Sequence, residues 1–263
     1  MRRPWTVAVL GTLVLTFLVS VDALALTGRE IVERFDQSNR SEDETVELTM
    51  DLVSEGGLKH SRRFLFYFKT GKDGDDRLLI RFLSPADIKG TGFLNVEQEG
   101  HGQQWLYLPD LKKSKRVAGS SRAGSFVESD FSNYDVGPES LDEHEYKLLG
   151  EVEVDGRACY KVEGRPKTDD IAASCGYSRR VLYVDKERWT LTKVEFTDRS
   201  GKALKVMDIT AWIKVKERWR GERIVIKNQQ DGSQTIVEFQ TKTRKMDQGV
   251  KDGFFSKRTL EKP

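Results

Sequence analysis

Cysteine, histidine and proline are scarce in this chain, with two, three and six copies among 263 residues. His60, His101 and His144 stand far apart and follow no metal-ligand spacing, so no metal site is legible. A strong charge of one sign is missing too. The formal charge is +2, and it is +1 without residues 1–25, which argues against nucleic acid as the main partner. There is no G-x-S-x-G elbow, and Gly119-Ser120-Ser121 and Gly124-Ser125 have no histidine nearby. Phosphate-cradling glycine motifs are absent. Acid pairs such as Asp142-Glu143 are ordinary in a chain one-third charged. These absences leave no catalytic constellation and call for no cofactor. Few prolines, no long low-complexity tract and no repeat of fixed period exclude a flexible two-domain chain, a propeller and a solenoid.

What is there begins with a targeting segment. Arg2 and Arg3 precede an apolar stretch from Val7 to Val19, broken only by Gly11, Thr12 and Thr16, and Ala23-Leu24-Ala25 follows as an A-x-A cleavage site. The stretch is shorter than the ~20 residues that span a bilayer, which favours a cleaved leader over a retained anchor. The twin arginine lacks the polar run of a Tat signal, so Sec export is expected. No cysteine follows the site, so the expectation is an exported, non-lipidated chain of one domain, residues 26–263. In such a chain Cys159 and Cys175 most simply form a disulfide closing a loop of about 17 residues, worth roughly 3 kcal/mol. Two buried thiols are the alternative.

Thr27 and Glu30 spell a capping box, and Ile31, Val32 and Phe35 give the helix that follows a narrow apolar stripe. The period then changes to two. Val46, Leu48, Met50 and Leu52 alternate with polar neighbours, Phe64, Phe66 and Phe68 share a face, and so do Leu78, Ile80 and Phe82. Turns are expected at Glu55-Gly56-Gly57, Gly71 to Asp76, Ser84 to Asp87 and Gly100-His101-Gly102. Later ones are expected at Asp155-Gly156, Asp198 to Gly201, Arg220-Gly221 and Asp231-Gly232. Residues 118–142 break the rhythm as a long loop with a helical turn around Phe126 to Phe131. The strands resume at Tyr146 and run to about residue 246. The sum is a mainly β chain, an antiparallel meander of ten to twelve strands.

The runs FLSPADIKGTGFL and QQWLYLPDLKKSKRV, and the glycine- and serine-rich segment ending ESDFSNYD, resemble the periplasmic outer-membrane lipoprotein-sorting family, relatives of the lipoprotein carriers LolA and LolB. DGRACYKVEGRPK, LYVDKERWTLTKVEFTDRSGK and GFFSKRTLEK extend the likeness through most of the mature chain. The resemblance implies a curled antiparallel sheet, an incomplete half-barrel whose concave side is packed by the N-terminal helix and covered by a loop or helical lid. It further implies a periplasmic carrier that takes a lipid, or the acyl chains of a lipoprotein, from an inner-membrane transporter toward an outer-membrane acceptor. A transporter of the resistance-nodulation-division type fits the family habit. A non-transporting docking subunit is the rival reading, and an envelope esterase a weaker one for want of an activated serine.

On that reading Phe64, Phe66, Phe68, Leu78, Ile80 and Phe82 are candidates to line the cavity, with Trp105 and Tyr107 near its mouth. Plain core packing would give the same stripes. Phe126, Phe131 and Tyr134 are candidate lid residues, or pegs holding a solvated loop. Lys112, Lys113, Lys115 and Arg116 form an exposed basic hairpin. It suits docking to anionic headgroups or an acidic surface, or simply guards a sheet edge against aggregation.

Overall fold

A computed structural model describes residues 26–71, 76–98, 101–138 and 140–262. The leader expected at residues 1–25 lies outside them, as do Gly100 and residues 72–75 of two expected turns. Helix α1 (Gly28–Ser38) starts where the capping box places it. The Glu30 amide donates to Thr27 Oγ1 at 3.2 Å, and the Thr27 amide donates to the Glu30 carboxylate at 2.7 Å. Both satisfy amides that a helix start leaves without partners.

Fourteen strands follow among the described residues: β1 (Asp43–Ser54), β2 (Gly57–Thr70), β3 (Asp76–Ser84), β4 (Gly92–Gln98), β5 (His101–Leu108), β6 (Lys113–Val117), β7 (His144–Val154), β8 (Arg157–Pro166), β9 (Tyr177–Asp185), β10 (Leu191–Asp198), β11 (Ala203–Val215), β12 (Arg218–Asn228), β13 (Gln234–Phe239) and β14 (Lys245–Met246). They exceed the expected ten to twelve because pieces as short as β14 carry no period to read. All belong to one antiparallel sheet ordered β6-β5-β4-β3-β2-β1-β13-β12-β11-β10-β9-β8-β7, with β14 beside β1. Sheet neighbours are consecutive in the chain, except where β1 pairs β13 and joins the two halves and where β14 pairs β1. Its end strands β6 and β7 do not pair, so the sheet is an open, curled one, as the resemblance implied.

Three local expectations are corrected. Arg220-Gly221 is not a turn but lies inside β12, and the hairpin turns at Lys216-Glu217, both left-handed at φ 45° and 63°. Gly221 is there because a Cβ would overlap Ile209 Cγ2 and press on the Trp212 ring at 3.4 Å. The helical turn expected over Phe126 to Phe131 falls instead at α2 (Asn133–Val136), capped by Ser132. Phe126 to Phe131 is a tight loop closed by the Phe126 amide donating to the Phe131 carbonyl at 2.7 Å.

Nor are Cys159 and Cys175 joined. Cys159 sits on the outer face of β8 with Val181 and Tyr183. Cys175, at the end of helix α3 (Asp169–Cys175), packs on the inner face with Tyr134, Tyr177 and Val194. The sheet itself separates the two thiols.

Cross-strand register shows which stripes share the concave face. One row runs Val46, Phe66, Ile80, Phe93, Leu106, and a second runs Leu148, Val162, Leu182, Val194, Met207, Ile226. On the convex side Leu79, Leu94 and Tyr107 are covered by Phe255 and Leu260 of the C-terminal segment.

Candidate functional site

Two elements lie against the concave face. Over β7 to β9, Ile31 and Val32 of α1 seat on Val162 and Val184. Over β2 to β5, the loop of residues 118–142 inserts Phe126 between Phe82 and Phe93, at ring distances of 6.0 and 5.2 Å. Polar ties hold that loop down. Arg62, 4% exposed, pairs with Glu128 and donates to the Val127 carbonyl. Gln104 Nε2 donates to the Asn133 carbonyl at 3.0 Å, and Lys205 reaches Asp135 at 2.5 Å. Gly137 lets the backbone pass directly over Asn95 and Gln104, where a Cβ would collide with both amides.

Between helix and loop the face stays uncovered, and a cavity of about 530 Å³ remains. Its apolar wall includes Phe66, Phe68, Leu182, Val194, Phe196, Met207, Ile226 and Phe239, with Val32 and Phe35 from α1 and Tyr134 from the loop. The volume falls within the ~300–1,000 Å³ range of small-molecule sites, and such sites pair an apolar wall with a few placed polar groups.

The polar groups gather at the end where β1 and β3 begin. Arg244, with a side chain 2% exposed, is held between Glu44 and Glu222, the latter at 2.5 Å, and stacks over the Phe239 ring at 5.0 Å. Arg220 meets Glu44 at 2.9 Å and donates to the Asn39 carbonyl. Arg40 bridges Asp36 at 2.8 Å and Asp76 at 3.1 Å, tying the end of α1 to β3. Burial pushes the Asp76 carboxyl up to about 6, against the opposing pull of Arg40. The cavity is thus an apolar trough closed at one end by paired charges.

Of the residues singled out from sequence, Phe66, Phe68 and Tyr134 line this cavity. Phe64, Leu78, Ile80 and Phe82 point to the same face but lie in its filled part, under Phe126 and beside Phe131. Trp105 and Tyr107 do not approach the mouth. They lie on the convex face under the C-terminal segment, with Lys257 over the Trp105 ring at 5.0 Å, because their phase on β5 is opposite to that of Leu106. Lys112, Lys113, Lys115 and Arg116 are all exposed at the β5–β6 hairpin. Sequence reasoning missed Met207 and Ile226 and the whole charged end. One signal was present: Glu44 stands in phase with Val46 and Leu48, an inward carboxylate on an apolar stripe.

Solved structures share this architecture. A domain from Vibrio parahaemolyticus described as an outer-membrane lipoprotein-sorting protein is 26% identical, with a TM-score of 0.83 over 89% of this chain and 98% of that one. A DUF1329 family protein from Desulfovibrio piger is 31% identical, with a TM-score of 0.82 over 89% and 97%. A LolA superfamily protein from Nitrosomonas europaea, 17% identical with a TM-score of 0.71 over 89% and 100%, shares the fold. The sequence has no match among curated proteins. A family model described as an uncharacterized protein matches residues 74–262. With 31% identity to the Desulfovibrio protein sustained over 89% of this chain and 97% of that one, the chain belongs to the DUF1329 family, and it shares its fold with the lipoprotein-sorting and LolA superfamily structures.

Proposed function

We propose that residues 26–263 form one periplasmic lipid-binding domain that carries a lipid, or the acyl chains of a lipoprotein, between the inner and outer membranes. The observation that carries this reading is the trough left between α1 and the 118–142 loop, an apolar space between the two elements that pack on that face. Each ligand methylene buried there contributes about 0.8 kcal/mol, so a single acyl chain suffices for useful affinity. The charged end formed by Arg40, Asp76, Arg220, Glu44 and Arg244 would meet the polar head of such a ligand, while the chain runs along Phe66, Met207 and Ile226. The relatives described as lipoprotein-sorting and LolA superfamily proteins support a carrier role. Export through a leader at residues 1–25, loading by an inner-membrane transporter of the resistance-nodulation-division type and delivery to an outer-membrane acceptor complete the proposal. The test is mass spectrometry of protein purified from cells without added detergent. A co-purifying acyl lipid at near-stoichiometric yield is expected. Protein that arrives empty and fails to bind a fluorescent fatty acid would leave the docking-subunit reading instead.

A further inference from the structure

In an antiparallel meander the turns after β1, β3 and β5 fall on one rim of the sheet. At that rim, on the convex side, lies a second hollow of about 820 Å³, lined by Arg81, Lys89, Lys112, Tyr107, Pro109 and Glu261, among others. Arg81 is half-buried and donates only to carbonyl oxygens, Gly90 at 3.2 Å and Thr259 at 2.7 Å, and no carboxylate stands beside it among the described residues. Glu261 is the one acid on the wall, and Ser114 already donates to it at 2.7 Å. The carboxylates of the same turns, Asp87 and Asp110, line a separate hollow with Arg62. Among the described residues, three cations thus face one engaged carboxylate at the outer hollow, a balance that suits an anion.

Its surroundings say where the anion comes from. The hairpin tip carries Leu111, 63% exposed, next to Lys112 of this hollow and followed by the exposed Lys113, Lys115 and Arg116. Leu58, 64% exposed, stands at the β1–β2 turn of the same rim. Two of the three most exposed large apolar side chains among the described residues therefore lie on one edge. Leu58 stands at the start of β2 and Leu111 just past β5, three strands along the same rim. Exposed leucines set among basic residues suit the boundary of a bilayer, where apolar tips enter and cations meet headgroups.

We propose that this rim docks on an anionic membrane, with the outer hollow of Arg81, Lys89 and Lys112 taking the phosphate of a phospholipid headgroup. This goes beyond the carrier reading and does not depend on what fills the inner trough, so either can fail alone. The experiment is co-sedimentation of the exported chain with phosphatidylcholine vesicles, with and without phosphatidylglycerol. Binding is expected only to the mixed vesicles and should weaken with salt. Lys89→Gln and Lys112→Gln, both at exposed positions that cannot unfold the protein, should each lower binding about fivefold, the worth of one basic residue at such a surface. Lys245→Gln makes the same charge change at the opposite rim and should leave binding unaltered. Equal loss in all three variants would reveal unspecific attraction and overturn the proposal. Glycerol phosphate in solution should raise the melting temperature, and Arg81→Gln should abolish that rise. A phosphate-dependent rise without vesicle binding would mean a soluble phosphate ligand and would equally overturn the membrane assignment, as would binding to polyglutamate as strong as to vesicles.

Discussion

Phe66 and Phe82 sit on the same face of the neighbouring strands β2 and β3, yet glutamate at the two positions should produce different failures. Phe82 is 1% exposed and wedged between Phe64 and Phe126, with ring distances of 5.2 and 6.0 Å. Truncating such a phenylalanine costs about 3–5 kcal/mol, and a carboxylate stranded there without water adds several more. That sum rivals the whole stability of a domain, about 5–15 kcal/mol, so Phe82→Glu should not fold. Phe66 is only partly buried and lines the open trough, so Phe66→Glu can keep its carboxylate hydrated in the empty protein. Loss of its packing should cost about 1–2 kcal/mol, a drop of a few degrees in Tm. A bound acyl chain must then either dehydrate the carboxylate or leave about four methylenes unburied, and the latter costs roughly 3 kcal/mol, about a hundredfold in Kd. The assay pairs thermal melting by circular dichroism with titration of a fluorescent fatty acid. Phe66→Glu that binds like the parent, or that loses fold and binding together as Phe82→Glu does, would refute the placement of the trough.

Three further outcomes follow from buried charges and thiols. Because burial holds the folded Asp76 carboxyl near 6, above its ordinary 3.8, the stability it contributes is fully present below about pH 3.8 and lost as pH rises through 6, roughly 3 kcal/mol in all. Asp76→Asn cannot ionise, so its Tm relative to the parent should climb between about pH 4 and 7; a difference independent of pH would show that Asp76 is not buried as an acid. Arg244→Met leaves Glu222 without its arginine and Glu44 with Arg220 alone, and should cost about 3–5 kcal/mol in urea unfolding, whereas an unchanged midpoint would mean the network is solvated. Protein unfolded without reductant should take two alkyl groups, one each on Cys159 and Cys175, and a single mass without adducts would restore the disulfide.

The amino-acid sequence by itself determined the local structure wherever a short-range signal existed. Thr27 and Glu30 set the start of α1 because a cap is a contact across three residues. Alternation at Val46 to Leu52 and at Phe64 to Phe68 set strands, because side chains in a strand point to opposite faces every residue. Family wording in FLSPADIKGTGFL and QQWLYLPDLKKSKRV pointed to the open curled sheet. What the tertiary structure decided was which apolar face is filled and which is left uncovered. Phe66 and Phe82 carry the same local pattern, and only the docking of Phe126 over one of them, from a loop more than forty residues away, makes it core. Trp105 and Tyr107 were assigned to the mouth on aromatic character, but the C-terminal segment buries them on the other face, a contact across about 150 residues that no window can see. The charged end of the trough has the same origin: Asp36, Glu44, Asp76, Arg220 and Arg244 are scattered through the chain. Only the pairing of β1 with β13, and the packing of α1 across β7 to β9, bring them to one place.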